Sequence, residues 1–374
     1  MLYKEFFRFV EPVIERITGE YLLLTSLTIQ NFKGIASCDL KDKDLARINL
    51  LVGKNDSGKS TIMEVAYYIF QELYAPPKLP QIMSRRTNVF CGGSELWFRY
   101  KMESPIVISV SFDSLEFEWR IATQQGGRYI NSTFSQMENT DLGKMKRIVG
   151  GTTYVGRDFS MTSSGSNIIN IMRADAEVKE TLAAYASNAS FIDCYIKSKT
   201  TEIERILARF KISGGEQKFG EILNDIYGKG KEWEFMPQVE NPDEKRLAIR
   251  EAGQLKYFSA FGDGLRCCVG ILGTAMSMRN TALFVEEIES HQHSGALSKL
   301  IRHLVNIARE NNLQIFLSTH SKDVWEALSR GVYKEDTKRQ KEEFRCLLIE
   351  RDPETGKVTA ESTDDLQKIT SALE

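Results

Sequence analysis

The chain has 374 residues, a formal net charge of -2 and an apolar content of 42%. This length suits one large domain or a few smaller ones, and the apolar content is enough for a sizeable core. The near-neutral charge excludes a strong overall electrostatic footprint for nucleic acid, although it is compatible with a local basic face. The sequence has no apolar run of membrane-spanning length and no secretory signal pattern, because Glu5 and Glu11 are acidic. We therefore expect a cytoplasmic protein without membrane contact.

The cysteines form no C-x-x-C pair, and no cysteine–histidine cluster has zinc spacing. This pattern predicts reduced, mostly buried thiols. The six positions are Cys38, Cys91, Cys194, Cys267, Cys268 and Cys346.

The apolar pattern predicts the elements in chain order, beginning with an amphipathic helix over 1–21. This helix either packs on its own domain or docks on another subunit. A strand over 22–29 follows, and alternating residues then predict antiparallel strands over 95–101, 106–112 and 115–121. A helical region is predicted from 175 to 227, with Ile192 on its apolar face, followed by strands over 232–239 and 246–251 and by strand–helix alternation after 259.

A complete G-x-x-x-x-G-K-[ST] phosphate loop lies at Gly53 to Thr61. The apolar run 48–52 predicts a buried strand before it, and helical periodicity over 62–70 predicts a helix after it. In this setting the backbone N–H groups surround phosphate oxygens, Lys59 reaches the β- and γ-phosphates, and Ser60 ligates Mg²⁺. The alternative is a glycine-rich turn that binds nothing, but the flanking strand and helix argue against it.

A second apolar strand, 282–285, ends in the acidic residues Glu286, Glu287 and Glu289. A buried strand with carboxylates at its carboxyl end is where a phosphate-loop enzyme holds its metal and its base. We expect Glu286 to orient Mg²⁺ and Glu287 to accept a proton from the attacking water. Many surface strands also end in glutamates, so the interpretation depends on the phosphate loop.

A third apolar strand, 314–319, is followed by His320. Its position after the acidic strand and one helix predicts contact with the γ-phosphate, whereas an isolated histidine would be a hydrogen-bonded strand end. His291 and His293 are two residues apart, and their loop setting favours a subunit contact over a metal site.

Gly262 and Gly264 precede another helix and predict a second anion-binding cradle at its N-terminus. This cradle is far from the phosphate loop in sequence. A two-fold dimer, in which each partner contributes half of each ATP site, accounts for both.

These segments together resemble the ABC-type ATPase head of the group that contains the structural-maintenance-of-chromosomes (SMC) proteins, RecF and the overcoming-lysogenization-defect (OLD) nucleases. The similar segments, in family order, are TSLTIQNFKGI, GKNDSGKST, FGDGLR, LFVEEIE and LSTHS. The segment SSGSNIINIM at 163–172 also resembles one found in OLD-like ATPases.

The resemblance implies an α/β fold, an ABC-type phosphate-loop ATPase head with a mixed central sheet, an antiparallel β-lobe and a helical insertion. The implied domains are the N-terminal helix 1–21, an ATPase lobe 22–135, a mainly helical arm 136–255 and a second ATPase lobe 256–374. ATP and Mg²⁺ are the implied ligands, and an Mg²⁺-dependent ATPase is the implied enzyme. The implied nucleotide-binding residues are Lys33, Gly53, Asn55, Gly58, Lys59, Ser60, Thr61, Gly262 and Gly264; Ser60 and Glu286 serve the metal, and Lys59, Glu287 and His320 serve catalysis.

The chain departs from the family pattern in three ways. Glu286 replaces the usual aspartate, Gly262 stands where many signatures have serine, and the sensor glutamine is not placed, Gln81 being in an unpersuasive setting. Only about fifty residues follow His320, too few for the toprim nuclease domain of the OLD nucleases.

The leading hypothesis is the sensor or regulatory subunit of an antiphage defence system, a homodimer that controls a separate nuclease or toxin. The alternatives are a RecF-like repair or replication ATPase and a nucleotide-gated scaffold with little turnover. The RecF-like alternative predicts salt-sensitive DNA binding, to which Arg345 and the basic segment 143–147 would contribute. The alternative interpretation is that these residues are solvated surface charges without a nucleic-acid partner.

Overall fold

A computed structural model gives the fold of most of the chain. The structure describes residues 22–40, 45–74, 96–113, 115–124, 129–140, 143–155, 160–161, 174, 176–193, 200–212, 215–228, 232–238, 245–251 and 253–373.

The strands in chain order are β1 (Leu24–Phe32), β2 (Ile35–Leu40), β3 (Ile48–Val52), β4 (Ile106–Phe112), β5 (Leu115–Gln124), β6 (Tyr129–Thr140), β7 (Gly143–Val155), β8 (Ser160–Met161), β9 (Ser190–Ile192), β10 (Trp233–Pro237), β11 (Lys245–Glu251), β12 (Gln254–Tyr257), β13 (Thr281–Val285), β14 (Leu313–Thr319), β15 (Phe344–Arg351) and β16 (Lys357–Ser362). The α-helices are α1 (Lys59–Tyr74), α2 (Ala176–Ser187), α3 (Thr200–Ile212), α4 (Glu216–Tyr227), α5 (Asp263–Ser277), α6 (Ser294–Glu310), α7 (Lys322–Glu326), α8 (Thr337–Glu343) and α9 (Leu366–Leu373).

The large sheet is mixed and, within the described residues, has thirteen strands in the order β8-β7-β6-β5-β4-β1-β2-β16-β15-β3-β14-β13-β9. The five strands at the β9 end are parallel to one another. The strands from β1 through β4 to β8 form an antiparallel meander. Every residue of β3, β13 and β14 is buried, as expected for parallel strands covered on both faces.

Alternation of side chains along the parallel strands divides the core into two layers. Leu51 and Phe284 face the layer that contains α1 and α2. Their neighbours Leu50 and Leu283 face the opposite layer, which contains α5 and α6. In the first layer the Phe284 ring stacks on Phe316 with centroids 4.7 Å apart. Helix α1, which follows the phosphate loop, and helix α5, which follows Gly262, therefore lie on opposite faces of the large sheet.

Gln314 at the second position of β14 is a buried polar hub. Its Oε1 accepts from the Leu24 N–H at 3.0 Å and from the Tyr185 hydroxyl. Its Nε2 donates to the carbonyls of Leu24 at 2.9 Å and Ala46 at 2.8 Å. With all four bonds made, the amide joins β1, the segment before β3 and α2 to β14 without leaving a buried polar atom unsatisfied.

A separate antiparallel sheet of the described residues runs in the order β10-β11-β12. Its Trp233, Leu247 and Ile249 pack into the same core layer as α3 and α4. The strands predicted over 232–239 and 246–251 are thus confirmed, and so are the strands predicted over 22–29, 106–112 and 115–121.

Two local predictions are wrong. The strand expected over 95–101 is instead a 3-10 turn at Phe98–Tyr100, because Arg99 and Tyr100 take φ values of 52° and 59° that a strand does not allow. Ile192 lies in β9 and not in a helix, because the chain there pairs with β13. The remainder of the predicted helical region contains α2, α3 and α4.

The sheet also extends beyond residue 135, where the helical arm was expected to begin. β6 crosses that position, and β7 follows it as a strand of 13 residues. The domain boundaries stay predictions. The helix predicted over 1–21, the segment 163–172, Gln81, Cys91 and Cys194 lie outside the described residues.

The described cysteines are Cys38, Cys267, Cys268 and Cys346; all four are buried and none of them forms a disulfide, as predicted. Within the described ranges, no helix combines the length and the hydropathy needed to cross a membrane.

Candidate functional site

Parallel strands bring the predicted site residues to one edge of the large sheet. β3 lies beside β14, and β14 lies beside β13. Because parallel strands end at the same edge, the phosphate loop after β3, His320 after β14 and the acidic residues after β13 meet there. Lys59 and His320 are 261 positions apart in sequence, yet their side chains lie 3.5 Å apart.

The phosphate loop has a backbone shape that requires glycine at two positions. A Cβ atom on Gly53 would lie 2.3 Å from the carbonyl oxygen of Ile349, and Gly58 has a φ of +101°. Helix α1 begins immediately afterwards at Lys59. The unpaired N–H groups of its first turn therefore point into the loop, where they favour an anion.

Lys59 lies almost fully buried inside this loop, with 4% of its surface exposed. Its Nζ donates to the carbonyl oxygens of Gly53 and Lys54, both at 2.7 Å, and to Ser57 Oγ at 3.3 Å. Burial lowers the pKa of Lys59 to about 8, and attraction to Glu289 and Glu287 partly offsets this effect. A cation held among N–H groups at a helix N-terminus is complementary to a polyphosphate.

His320 connects the phosphate loop to the acidic residues. Its Nδ1 lies 3.5 Å from Lys59 Nζ, and its Nε2 lies 3.7 Å from Glu287 Oε1. A charged lysine has no lone pair, so a hydrogen bond from Lys59 requires the tautomer that accepts at Nδ1 and carries its proton on Nε2, facing Glu287. The backbone N–H of His320 also donates to Glu289 Oε1 at 2.7 Å, which ties the His320 backbone to the acidic loop.

The acidic residues after β13 differ in exposure. Glu286 is 6% exposed, whereas the Glu287 side chain is 48% exposed and accessible to water. Glu287 has a φ of 45°, and its backbone N–H donates to Ser318 Oγ at 3.0 Å. Positive φ at a residue that is not glycine is strained, and such strain concentrates at functional sites.

The oxygen donors near the loop fit a magnesium ion better than a zinc ion. Ser60 lies in the first turn of α1, and Glu286 directly follows β13. Within the described residues, no group of three or more His, Cys, Asp or Glu side chains forms a metal cage. Mg²⁺ does not require such a cage, because it binds one or two protein oxygens together with phosphate oxygens and water.

The remaining predicted nucleotide-binding residues of the first lobe surround the same loop. Asn55 is exposed in the loop, and Thr61 is partly buried in the first turn of α1. Lys33 in the β1–β2 turn has a φ of 48°, and its Nζ lies 2.8 Å from Oε2 of the buried Glu64. The Lys33 ammonium thus links this turn to α1.

The two glycines before α5 have different surroundings. Gly262 is exposed, and a Cβ there would have no atom within 4 Å. A Cβ on Gly264 would lie 2.5 Å from the His291 carbonyl oxygen. The Gly264 carbonyl accepts from Gln292 Nε2 at 2.7 Å and from the Tyr227 hydroxyl at 3.0 Å. Only Gly262 is open on its side-chain face.

Sequence reasoning named Glu289 without giving it a role, and it overlooked Asp193. Glu289 bonds the His320 backbone, as described above, and Asp193 follows β9 with 6% of its surface exposed. The bond from the Glu286 N–H to the Ile192 carbonyl, 2.9 Å long, brings Asp193 beside Glu286. The apolar pair before Asp193 was the available signal, but a strand of three residues is too short to show a period.

Comparisons with known proteins relate this chain to ATPases. The family model described as "AAA ATPase domain" matches residues 23–248, and that described as "AAA domain, putative AbiEii toxin, Type IV TA system" matches residues 197–324. An "ATP/GTP phosphatase" of Helicobacter pylori is 20% identical over 353 residues, which cover 87% of this chain and 92% of that protein. An uncharacterized protein of Methanocaldococcus jannaschii is 25% identical over 112 residues, covering 30% of this chain and 94% of that protein.

Solved structures show the same fold. An SMC head bound to the C-terminal winged-helix domain of ScpA has a TM-score of 0.56 at 13% identity, with coverage of 92% of this chain and 99% of that one. The SMC head domain with a coiled coil and joint from Pyrococcus yayanosii has a TM-score of 0.50 at 10% identity, with coverage of 94% and 99%. The expected ABC-type ATPase head fold is therefore confirmed, and the chain belongs to the AAA ATPase domain family.

Proposed function

We propose that the protein binds ATP with Mg²⁺ in its phosphate loop and hydrolyses it at the edge of the parallel strands. The observation that supports this most directly is the continuous line of side chains from Lys59 through His320 to Glu287, with separations of 3.5 Å and 3.7 Å. A phosphate-binding cation and a water-accessible carboxylate on the two sides of one histidine are suited to phosphoryl transfer to water.

Each residue of this line has a separate task. Lys59 binds phosphate oxygens in place of the loop carbonyls that it contacts now. Glu287 accepts a proton from the attacking water at a carboxylate oxygen, and His320 directs its Nε2 proton toward that oxygen or a phosphate oxygen. Ser60 and Glu286 would hold Mg²⁺, which supplies neutralisation of phosphate charge when bound.

The active assembly in this proposal is a homodimer with shared ATP sites. Gly262 caps a helix of 15 residues, and its side-chain face is open to a partner's ligand. A helix N-terminus favours anions. In the dimer, the N-terminus of α5 from one subunit would face the triphosphate in the phosphate loop of the other.

The biological role that we infer is the sensor or regulatory subunit of an antiphage defence system with a separate nuclease or toxin effector. The resemblance to OLD-like ATPases and the match over 197–324 to a domain described with a putative toxin system support this role. ATP binding would close the dimer, hydrolysis would reopen it, and this cycle would control the effector.

The biochemical part of this proposal is tested by measuring ATP binding, ATP turnover and the mass of the assembly with the purified chain. Glu287→Gln should lower turnover about 100-fold or more while ATP binding is kept, and Lys59→Ala should abolish binding. Glu310→Gln, which changes an exposed carboxyl on α6, is the matched control. With ATP and Mg²⁺, the Glu287→Gln protein should have twice the monomer mass in light scattering.

Equal turnover of the parent and Glu287→Gln would remove Glu287 from catalysis, and no turnover in either would favour the nucleotide-gated scaffold. Co-purification of the native complex tests the biological part. A nuclease or toxin that binds in an ATP-dependent manner supports the sensor role. ATP-dependent, salt-sensitive DNA binding without such a partner would favour the RecF-like alternative.

A further inference from the structure

The phosphate loop rests on the strand pair β15–β16, which the sequence did not connect with nucleotide binding. Gly53 lies against the carbonyl of Ile349 in β15, and a Cβ on Gly58 would lie 3.3 Å from Val358 Cγ2 in β16. A third contact is ionic, because Arg351 Nη1 at the end of β15 lies 2.6 Å from Oδ2 of Asp56 in the loop. Two of these contacts are steric, and only the third involves charge.

Arg351 has little freedom to move away from this position. Its side chain is 19% exposed. A Cβ built on Gly34 in the β1–β2 turn would lie 3.7, 3.8 and 3.9 Å from the guanidinium carbon and its two terminal nitrogens. Nearly equal distances to three atoms of a planar group mean that Gly34 covers the flat face of the guanidinium. Arg351 Nε is buried and has no hydrogen-bond partner within the described residues. The guanidinium contacts Asp56 through its terminal nitrogen Nη1.

Asp56 introduces an electrostatic problem at this point of the loop. Its backbone has a φ of 60°, a conformation that Asp and Asn tolerate better than most residues. Its side chain is 89% exposed, so the carboxylate is a negative charge on the loop that we expect to receive a polyphosphate. An uncompensated negative charge on the loop repels a polyphosphate, which is also negative.

We propose that Arg351 is a positioning residue for nucleotide binding, which neutralises Asp56 and holds the phosphate loop in the shape that accepts a polyphosphate. The covered guanidinium keeps the Asp56 carboxylate turned toward β15. The loop N–H groups and Lys59 then act on the phosphates without a competing negative charge. The inference rests on ATP binding at this loop but adds a residue that no phosphate-loop pattern contains.

A double-mutant cycle on the full chain tests this inference, with the Kd of a fluorescent ATP analogue in the presence of Mg²⁺ as the readout. Arg351→Ala should raise the Kd about tenfold, because it leaves one charge uncompensated. Asp56→Asn should leave the Kd unchanged or lower it, since asparagine keeps the positive φ, removes the negative charge and leaves the positive charge of Arg351 uncompensated. The protein with both changes should bind within about threefold of the parent.

Two results would overturn the inference. One is a Kd for Arg351→Ala within twofold of the parent, and the other is a doubly changed protein that binds as weakly as Arg351→Ala alone. The second result would mean that Arg351 acts only through the fold, because removal of Asp56's charge would then restore nothing. The tenfold loss should also shrink at high salt, where charge repulsion is screened.

Matched variants keep the cycle interpretable. Arg250→Ala removes a paired arginine from the separate three-stranded sheet and should leave the Kd unchanged. Arg351→Gln, alone and with Asp56→Asn, gives the same cycle with a side chain of greater length if the alanine variant melts too early. The titration of the parent measures ATP binding itself, whereas the inference depends only on the ratios among variants.

Discussion

Glu72 near the end of α1 is a buried carboxyl group whose replacement should stabilise the protein in a pH-dependent way. It is 5% exposed, and its Oε1 has no hydrogen-bond partner within the described residues. Burial raises its pKa from 4.5 to about 8. The folded protein therefore holds this carboxyl group in its neutral form at pH 7, whereas the unfolded chain ionises it.

The size of the effect follows from this pKa difference. Below pH 4.5 both states are protonated, so Glu72 does not change the pH dependence of stability. As the pH rises toward 8, the unfolded chain loses the proton first, and the free energy of unfolding falls by about 1.4 kcal/mol per pH unit. Between pH 5 and pH 7.5 the loss attributable to Glu72 is about 3 kcal/mol.

Glu72→Gln removes this titration but keeps the side-chain volume. The advantage of the variant over the parent should therefore grow by about 3 kcal/mol between pH 5 and pH 7.5. Any packing cost of the amide is the same at both values and drops out of the difference. Urea unfolding followed by circular dichroism and tryptophan fluorescence measures both proteins across this range.

Glu342→Gln, on an exposed position of α8, is the control and should shift stability by less than about 0.5 kcal/mol at either pH. Parallel stability curves for the parent and Glu72→Gln would refute the reasoning, because they would mean that the carboxyl group ionises equally in both states. ATP affinity should not change, since Glu72 lies about 20 Å along α1 from the phosphate loop.

Two further predictions concern the site itself. Gly264→Ala should lower stability by about 2 kcal/mol or more, because the new Cβ would lie 2.5 Å from the His291 carbonyl oxygen. Gly262→Ala has open space for its Cβ and should lower stability by less than about 1 kcal/mol, the cost of alanine at a helix N-cap. Thermal melts of both variants measure the difference. His320→Ala should lower ATP turnover about 100-fold, because the ring that faces Glu287 is lost. ATP affinity should change little, because Lys59 keeps its loop contacts. Single-turnover kinetics and binding titrations measure turnover and affinity separately. A proportional loss of binding in His320→Ala would contradict a role confined to turnover.

The sequence was sufficient to predict the three strands that are followed directly by site residues, β3, β13 and β14. The runs before Gly53, Glu286 and His320 are mostly apolar, and all three belong to parallel strands buried on both faces. Their meeting at one edge follows from the parallel pairing of β3, β14 and β13, whereas the family resemblance implied a mixed central sheet without naming these pairs. The individual side-chain contacts, such as Lys59 to the loop carbonyls, depend on distances that no pattern contains.

The sequence failed where an element is short or polar. β9 has three residues, so Ile192 appeared to belong to the surrounding helical pattern and the acidic Asp193 was overlooked. β7 contains Gly150 and Gly151 together with basic residues, which gives no clear alternation of apolar positions. Its strand state is fixed by twelve residue pairs with β6 rather than by its own propensity.

Gly262 and Gly264 belong to one sequence motif, but the structure gives a steric reason for glycine only at position 264. Both were expected to bind an anion, but glycine at 264 is required by the close approach of the His291 carbonyl. Gln292, from the same loop, bonds the Gly264 carbonyl, so the loop after β13 and the start of α5 are joined within one subunit. A displacement of the loop that carries Glu287 would therefore displace the N-terminus of α5. In the proposed dimer, this connection would transmit the state of one ATP site to the surface that faces the other.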